Sequence, residues 1–415
     1  MLLRFSLYGF LKNQRYFEPF LILALLERGF SFAHIGALIA VQEVTCNLLE
    51  IPSGAFADLF GRRRSMVLSF AFYLVAMGAF TVATSAWLLG VAMALLGAGD
   101  AFRTGTHKAM IFAWLEREGR TDERVKIYGY TRSWSQIGSA VSIPIAAGIV
   151  FATGRYRDIF WVTAIPWLLD LINLATYPAY LDGERPERVS FRSVFAHLRD
   201  ALREVAGSAR LRILMAESMA FEGTYKALKG YLQPVVQLLA VSAPILLFVG
   251  EERRTAILIG VVYVSLHALG AVASRNAYRV VDRCAGDQPA ARLLWFCVVT
   301  LFAAMVPVLL IESYVGAAIA LAAVAVLHNF FRPVLVSRID AATISARRAT
   351  VLSVESQSSS LATIILAPVA GLAVDMASGG AAAGAGGLWP VAVIGLAVTA
   401  PMLLLVRKHD HRPTL

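Results

Sequence analysis

The chain has 415 residues, of which 58% are apolar and 16% charged, and its mean hydropathy is +0.65. That balance excludes a solvated surface around one soluble core and places the chain in a bilayer. The formal net charge of +10 belongs to loops that anchor to anionic headgroups, so nucleic acid is not an expected partner.

A spanning helix needs about 20 mostly apolar residues. Windows of that kind lie at 6–26, 33–56, 65–84, 87–108, 129–152, 159–180, 213–239, 256–278, 291–311, 314–336, 350–373 and 388–406. They are about twice as long as barrel strands and do not alternate, so an all-α integral membrane protein with twelve transmembrane helices is expected. No small-residue cleavage site follows Met1 and Arg4, so the first span is read as retained.

The first span carries Lys12, Asn13, Arg15 and Glu18 within a short stretch. An ionisable side chain at the bilayer centre costs roughly 2.5 kcal/mol or more unless it faces water or a partner. That face therefore lines an aqueous cavity or meets acids, unless residues 1–15 lie in the headgroup interface. The second span offers Glu43, Asn47 and Glu50 on one helical face, which makes Glu43 and Glu50 candidate partners for Lys12 or Arg15.

Next comes Gly54–Ser65, GAFADLFGRRRS, a Gly-rich turn with one acid, Asp58, and three consecutive arginines. Asp100 and Arg103 follow on the fourth span, Arg132 on the fifth, and Asp170 with Asn173 on the sixth. The polar stretch from Asp182 to Arg212 divides the chain into a bundle at 1–181, a cytoplasmic linker at 182–212 and a second bundle at 213–415. Within the linker, Phe191, Val194, Phe195, Leu198, Leu202 and Val205 fall at helical spacing, which predicts an in-plane amphipathic helix.

On the seventh span, Glu222 and Lys226 form an i, i+4 pair able to neutralise itself, whereas Glu217 has no basic neighbour on its own helix. Glu217 is therefore a candidate proton-exchanging carboxyl. The tenth span adds His328, Asn329 and Arg332, and the eleventh Glu355 and Gln357. Tyr16, Phe17, Trp134, Tyr225 and Tyr231 are able either to stack on an organic solute or to serve as packing and interfacial anchors.

A weak internal repeat runs through both bundles. GAFAD at Gly54–Asp58 is echoed by GAVAS at Gly270–Ser274, and Asp100-Ala-Phe-Arg103 by Asn329-Phe-Phe-Arg332. Duplicated halves with a site between repeats are a secondary-transporter plan. Lys and Arg concentrate on one set of loops, including Arg62 to Arg64, Arg117, Arg120 and Arg124, so both termini are expected in the cytoplasm.

In helix number, two-bundle organisation, central linker and loop signature the chain resembles the major facilitator superfamily. Its signature between the second and third helices, roughly GxxaDrxGRkxx, stands here as Gly54, Asp58, Gly61, Arg62 and Arg63. The resemblance implies that Asp58 and the arginines latch the cytoplasmic face of one conformation, with Asp58 facing the start of the eleventh helix. Leu59 departs from the pattern, where many members carry a basic residue. Arg103 stands near the position of a fourth-helix arginine that the family associates with proton transfer. The antiporter pattern GxxxGPxxGG is matched only loosely by Gly138, Pro144 and Gly148.

No GxxxxGK[ST], GxSxG or HExxH is present, and Cys46, Cys284 and Cys297 show no metal-ligand spacing. An enzyme, a cofactor and a bound metal are therefore not expected. The resulting expectation is a monomeric secondary transporter of the bacterial cytoplasmic membrane, exporting small organic solutes against protons by alternating access. The alternatives are proton-coupled import of an organic anion and a non-transporting receptor or scaffold. The cavity and coupling candidates are Arg15, Glu18, Glu43, Glu50, Asp100, Arg103, Arg132, Asp170, Glu217, Glu222, Arg332 and Glu355.

Overall fold

The computed structural model describes residues 1–182, 199, 202–243, 247–343, 348–379 and 387–408, and every regular element among them is helical. In chain order these are α1 (Leu2–Lys12), α2 (Leu21–Leu26), α3 (Phe32–Phe60), α4 (Arg62–Val82), α5 (Ala86–Arg103), α6 (Thr106–Arg117), α7 (Arg124–Thr153) and α8 (Asp158–Ala175). There follow α9 (Ala209–Ser218), α10 (Thr224–Leu228), α11 (Leu232–Ser242), α12 (Glu251–Arg283), α13 (Asp287–Leu310), α14 (Tyr314–Ala342), α15 (Arg348–Ala377) and α16 (Trp389–Lys408). The expected linker helix around Phe191 lies mostly outside the described residues.

Ten helical segments among the described residues are long and apolar enough to cross a membrane, α5 and α6 counting as one. The first and seventh expected spans are not among them because each is broken. α1 ends at Lys12, a turn runs to Phe17, and a short 3-10 segment Glu18–Phe20 leads into α2. Between α9 and α11 the chain passes through a π segment Met219–Gly223, the five residues of α10 and a 3-10 turn Lys229–Tyr231. The protein is an all-α integral membrane protein with two irregular segments in corresponding places.

Irregular backbone survives at membrane depth only where its polar groups find other partners. Around the first break they do. Asn13 Nδ2 donates to the Gly9 and Ser135 carbonyls at 2.8 and 3.0 Å. Gln14 Nε2 donates to those of Phe10 and Gly138, and the Trp167 indole donates to the Lys12 carbonyl. Close approach of α1 to α7 makes this possible: a Cβ on Gly138 would lie 2.5 Å from the Phe10 carbonyl oxygen.

The chain clusters into two compact units. The first comprises Met1–Ala24, Val41–Val194 and Glu252–Gly260; the second comprises Leu25–Ala40, Phe195–Glu251 and Val261–Leu415. The first is centred on buried Phe5, Phe70, Tyr73, Phe80, Phe160 and Trp167, with Phe80 stacked on Phe160 at 4.9 Å. The second is centred on Phe221, Trp295, Phe302 and Phe331, with Phe221 and Phe331 edge to face at 4.6 Å.

The loop signature is more helical than its glycines suggest. Asp58 still belongs to α3, and only Gly61, at φ +100°, makes the turn before Arg62 opens α4. A Cβ there would strike the Asp182 carboxylate at 2.6 Å, which accepts from the Arg63 N–H. Gly54 is not at a close helix contact, since a Cβ there would meet nothing within 4 Å.

Candidate functional site

In the first unit the organising group is Asp100 of α5. Its Oδ1 accepts from Arg15 Nη2 at 3.0 Å, Tyr73 Oη at 2.6 Å and Arg103 Nη2 at 3.2 Å, and its Oδ2 accepts from Gln42 Nε2 at 3.2 Å. Arg103 also donates to Tyr73 Oη at 3.0 Å. Gly99 allows this arrangement, because Tyr73 lies flat against α5 where a Cβ would come within 2.4 Å of its ring. Arg15 is carried by the helix break and pairs with Asp100 rather than with the acids anticipated on the second span. Glu43 and Glu50 are half-buried on α3, and Glu18 is exposed at the head of the 3-10 turn.

In the same unit a cavity of about 470 Å³ opens between α1, the α5–α6 junction and α7. Lys12, Arg103, Lys108 and Arg132 line it, and no Asp or Glu does among the described residues. His107 stacks on Tyr8 in its wall with ring centres 3.7 Å apart. Lys12 lies over the Tyr8 ring at 5.3 Å, and Lys108 lies near the rings of Phe112 and Tyr128. Arg132 is exposed and makes no hydrogen bond or ion pair among the described residues. Beyond the wall sits Asp170, fully buried, with Oδ1 accepting from Asn173 and Oδ2 without a hydrogen-bond partner. Lys12 and Arg103 are the cations that act on it.

In the second unit two separate clusters form. Glu217 is not the isolated carboxyl anticipated: Arg338 of α14 holds it in a two-pronged ion pair at 2.6 and 2.8 Å, and the Trp295 indole donates at 2.9 Å. Both partners are buried, and the geometry is that of a structural pair. The missing cation lay on a helix distant in sequence, where no spacing rule looks for it.

Glu222 also departs from its i, i+4 assignment. The π segment alters the helical register there. Glu222 Oε2 contacts His328 Nε2 at 2.9 Å and its Oε1 lies 3.7 Å from Arg332, while Lys226 reaches Ser359 and Ser360. Arg332 in turn grips Glu355 with two donors at 2.6 and 3.0 Å, and Ser218 donates to the same carboxylate. Tyr225 stacks on His328 at 4.0 Å. Two carboxylates, one guanidinium and one imidazole thus form a single network.

Of the aromatics singled out in the sequence, Phe17 stacks on Phe160, Trp134 packs edge to face on Phe10 and Tyr231 stacks on Phe32. Asp58 is exposed and makes no hydrogen bond or ion pair among the described residues, whereas Arg62 and Arg63 donate to the Ala109 and Tyr177 carbonyls. Sequence reasoning missed Gln42, Tyr73 and Lys108, none of which stands in a pattern that marks it.

Ten apolar helical segments among the described residues, with ion pairs buried between them, define a polytopic helical membrane protein. The sequence profile of the Major Facilitator Superfamily matches residues 13–354, and the chain belongs to that family. It is 24% identical over 227 residues to the uncharacterized MFS-type transporter YxaM of Bacillus subtilis (strain 168), covering 52% of this chain and 54% of that one. A second uncharacterized MFS-type transporter of that organism, YqjV, is 24% identical over 182 residues, covering 43% of each chain. The matched stretch thus spans about half the length of these curated relatives. The crystal structure of nucleoside transporter NupG superposes with a TM-score of 0.78 at 12% identity over 99% of both chains. A bacterial homolog of the human lysosomal transporter Spinster gives 0.71 at 16% identity, over 100% of this chain and 98% of that one.

Proposed function

We propose that this protein is a proton-coupled secondary transporter that exports a small organic solute by alternating access. It acts as a monomer in the bacterial cytoplasmic membrane with both termini inside, as two six-helix bundles joined by the 182–212 linker. The observation that carries the coupling is the Glu222–His328–Arg332–Glu355 network. Arg332 is held tightly by Glu355; Glu222 has His328 as its close partner, with Arg332 at 3.7 Å and Lys226 as further cations acting on it. A proton taken up by Glu222 or His328 changes the charge of the cluster by one unit without requiring the Arg332–Glu355 pair to break. Ion pairs inside a membrane bundle mark proton and substrate paths, and a proton biases the cycle if the two conformations bind it unequally.

The basic asymmetry of the loops supports the orientation. Asp58, exposed at the end of α3 beside Arg62 and Arg63, supports a loop whose charged contacts are made in another conformation. The test is flux in proteoliposomes under an imposed pH gradient. Wild-type flux is expected to collapse when the gradient is dissipated, and Glu222→Gln is expected to abolish gradient-driven flux while retaining exchange of solute across the membrane. Gradient-driven flux at the wild-type rate in Glu222→Gln and in His328→Gln would remove this cluster from coupling.

A further inference from the structure

The cavity of the first unit says something about what is carried, on the premise that this protein is a transporter whose solute enters there. Lys12, Arg15, Arg103, Lys108 and Arg132 converge on this region. The carboxylates that act on them from within the bundle are Asp100, already shared by Arg15 and Arg103, and the buried Asp170, which does not line the cavity. Glu18, exposed, also acts on Arg15 and is not among the lining residues. Positive charge therefore exceeds negative charge around an opening that no acid lines among the described residues.

Such an excess gives the opening a positive potential that favours an anion. Structural membrane cations are paired within the protein, as Arg338 is with Glu217 and Arg332 with Glu355. Lys108 and Arg132 are not, although they flank one cavity. Both are exposed to water at the cavity and are placed to receive an anionic ligand. At about 470 Å³ the cavity lies in the range that holds small organic molecules, and the Tyr8–His107 stack gives it a flat, partly apolar wall.

We infer that the cavity between α1, the α5–α6 junction and α7 binds a small organic anion bearing two or more negative charges, held by Lys12, Arg103, Lys108 and Arg132. Arg103 and Lys12 form the inner end, beside the helix break. Lys108 and Arg132 form the outer end, so the ligand's charged groups are separated by a body that rests on the Tyr8–His107 wall. Hydroxyl and amide side chains of α7 complete the lining without adding charge.

Equilibrium binding tests this without any gradient. The protein in nanodiscs of phosphatidylcholine is titrated calorimetrically with succinate, citrate, isophthalate and phenyl phosphate, and with glucose and choline as neutral and cationic controls. At least one of the polyanions is expected to bind with an affinity that falls as salt is raised. Arg132→Gln and Lys108→Gln are each expected to weaken it tenfold or more, while Lys126→Gln, which removes an exposed cation outside the cavity, leaves it unchanged. Carboxylates and phosphate esters are separated by which arm binds. Loss of the titration when phosphatidylglycerol is included would assign the site to a lipid headgroup and overturn the proposal, as would binding insensitive to Arg132→Gln and Lys108→Gln or the absence of binding by every anion. Anion binding without proton-driven flux would leave this site standing and remove the coupling; proton-driven flux of a neutral solute without anion binding would do the reverse.

Discussion

Helix α3 is shared: its first turns cluster with the second unit and the rest with the first. At its start, the Asp375 carboxylate of α15 accepts the backbone N–H groups of Phe32 and Ala33 at 3.0 and 2.8 Å. A carboxylate on two free N–H groups at a helix N-terminus combines charge-assisted hydrogen bonds with the helix dipole. The contact is close because it is made by glycines: a Cβ on Gly36 would lie 2.2 Å from the Ala367 carbonyl oxygen, and one on Gly371 2.1 Å from that of Phe32. If the protein cycles between conformations as proposed, a junction this close resists any change that separates α3 from α15. It is expected to act as a latch for the conformation seen here.

The substitution Gly36→Ala measures it. Non-bonded carbon–oxygen contacts do not close below about 3 Å, so α3 and α15 must separate by roughly 1 Å, which costs about 1–3 kcal/mol as overpacking. The same displacement takes the Asp375 bonds beyond hydrogen-bonding distance. A combined loss of about 3 kcal/mol moves the equilibrium roughly a hundredfold. Asp375→Asn keeps one acceptor but no charge and is expected to move it about tenfold, or ~1–2 kcal/mol. With spin labels at His34 and Met376, in a background without the three cysteines, electron–electron distance distributions are expected to shift to longer separations in both variants. Gly78→Ala, where a Cβ meets nothing within 4 Å, serves as the control. Unchanged distributions in both Gly36→Ala and Asp375→Asn, with folding intact, would refute the latch.

Removing one partner of the buried Glu217–Arg338 pair leaves an uncompensated charge, so Glu217→Gln is expected to destabilise the second unit by about 3–5 kcal/mol. Thermal unfolding in detergent measures this, and Glu217→Leu with Arg338→Met is expected to recover most of it. Gly99→Ala pushes the Tyr73 ring away from α5 and its hydroxyl off Asp100; solute affinity is expected to fall several-fold, and the unfolding temperature to fall with the overpacking of a buried ring. If the solute is anionic, an inside-negative potential favours its export by roughly 2.3 kcal/mol per charge per 100 mV. Collapsing the potential with valinomycin and potassium at constant pH gradient is therefore expected to slow export, and an unchanged or faster rate would count against net outward movement of negative charge.

The regular spans were legible because each needs only a long apolar run, and α4, α8, α13 and α16 lie close to the windows read from hydropathy. The first and seventh were also found as apolar windows, but their breaks were not. The clue at the first was chemical: Asn13, Gln14 and Arg15 stand together where a continuous helix has no use for them. Asn13 and Gln14 donate to carbonyls of α1 and α7 beside the break, and Arg15 uses it to reach Asp100. At the seventh, helical spacing assigned Glu222 to Lys226 and found no base for Glu217 on its own helix, and the structure places the closest partners of both on α14. Pairing in a bundle is decided across helices, and a π segment changes which neighbour a carboxylate faces. Spacing along one helix therefore recovers which residues are ionised within the membrane but not which cation each one meets. The pairs that resulted separate a closed ion pair, Glu217 with Arg338, from a wider network, Glu222 with His328 and Arg332, on which the proposed coupling rests.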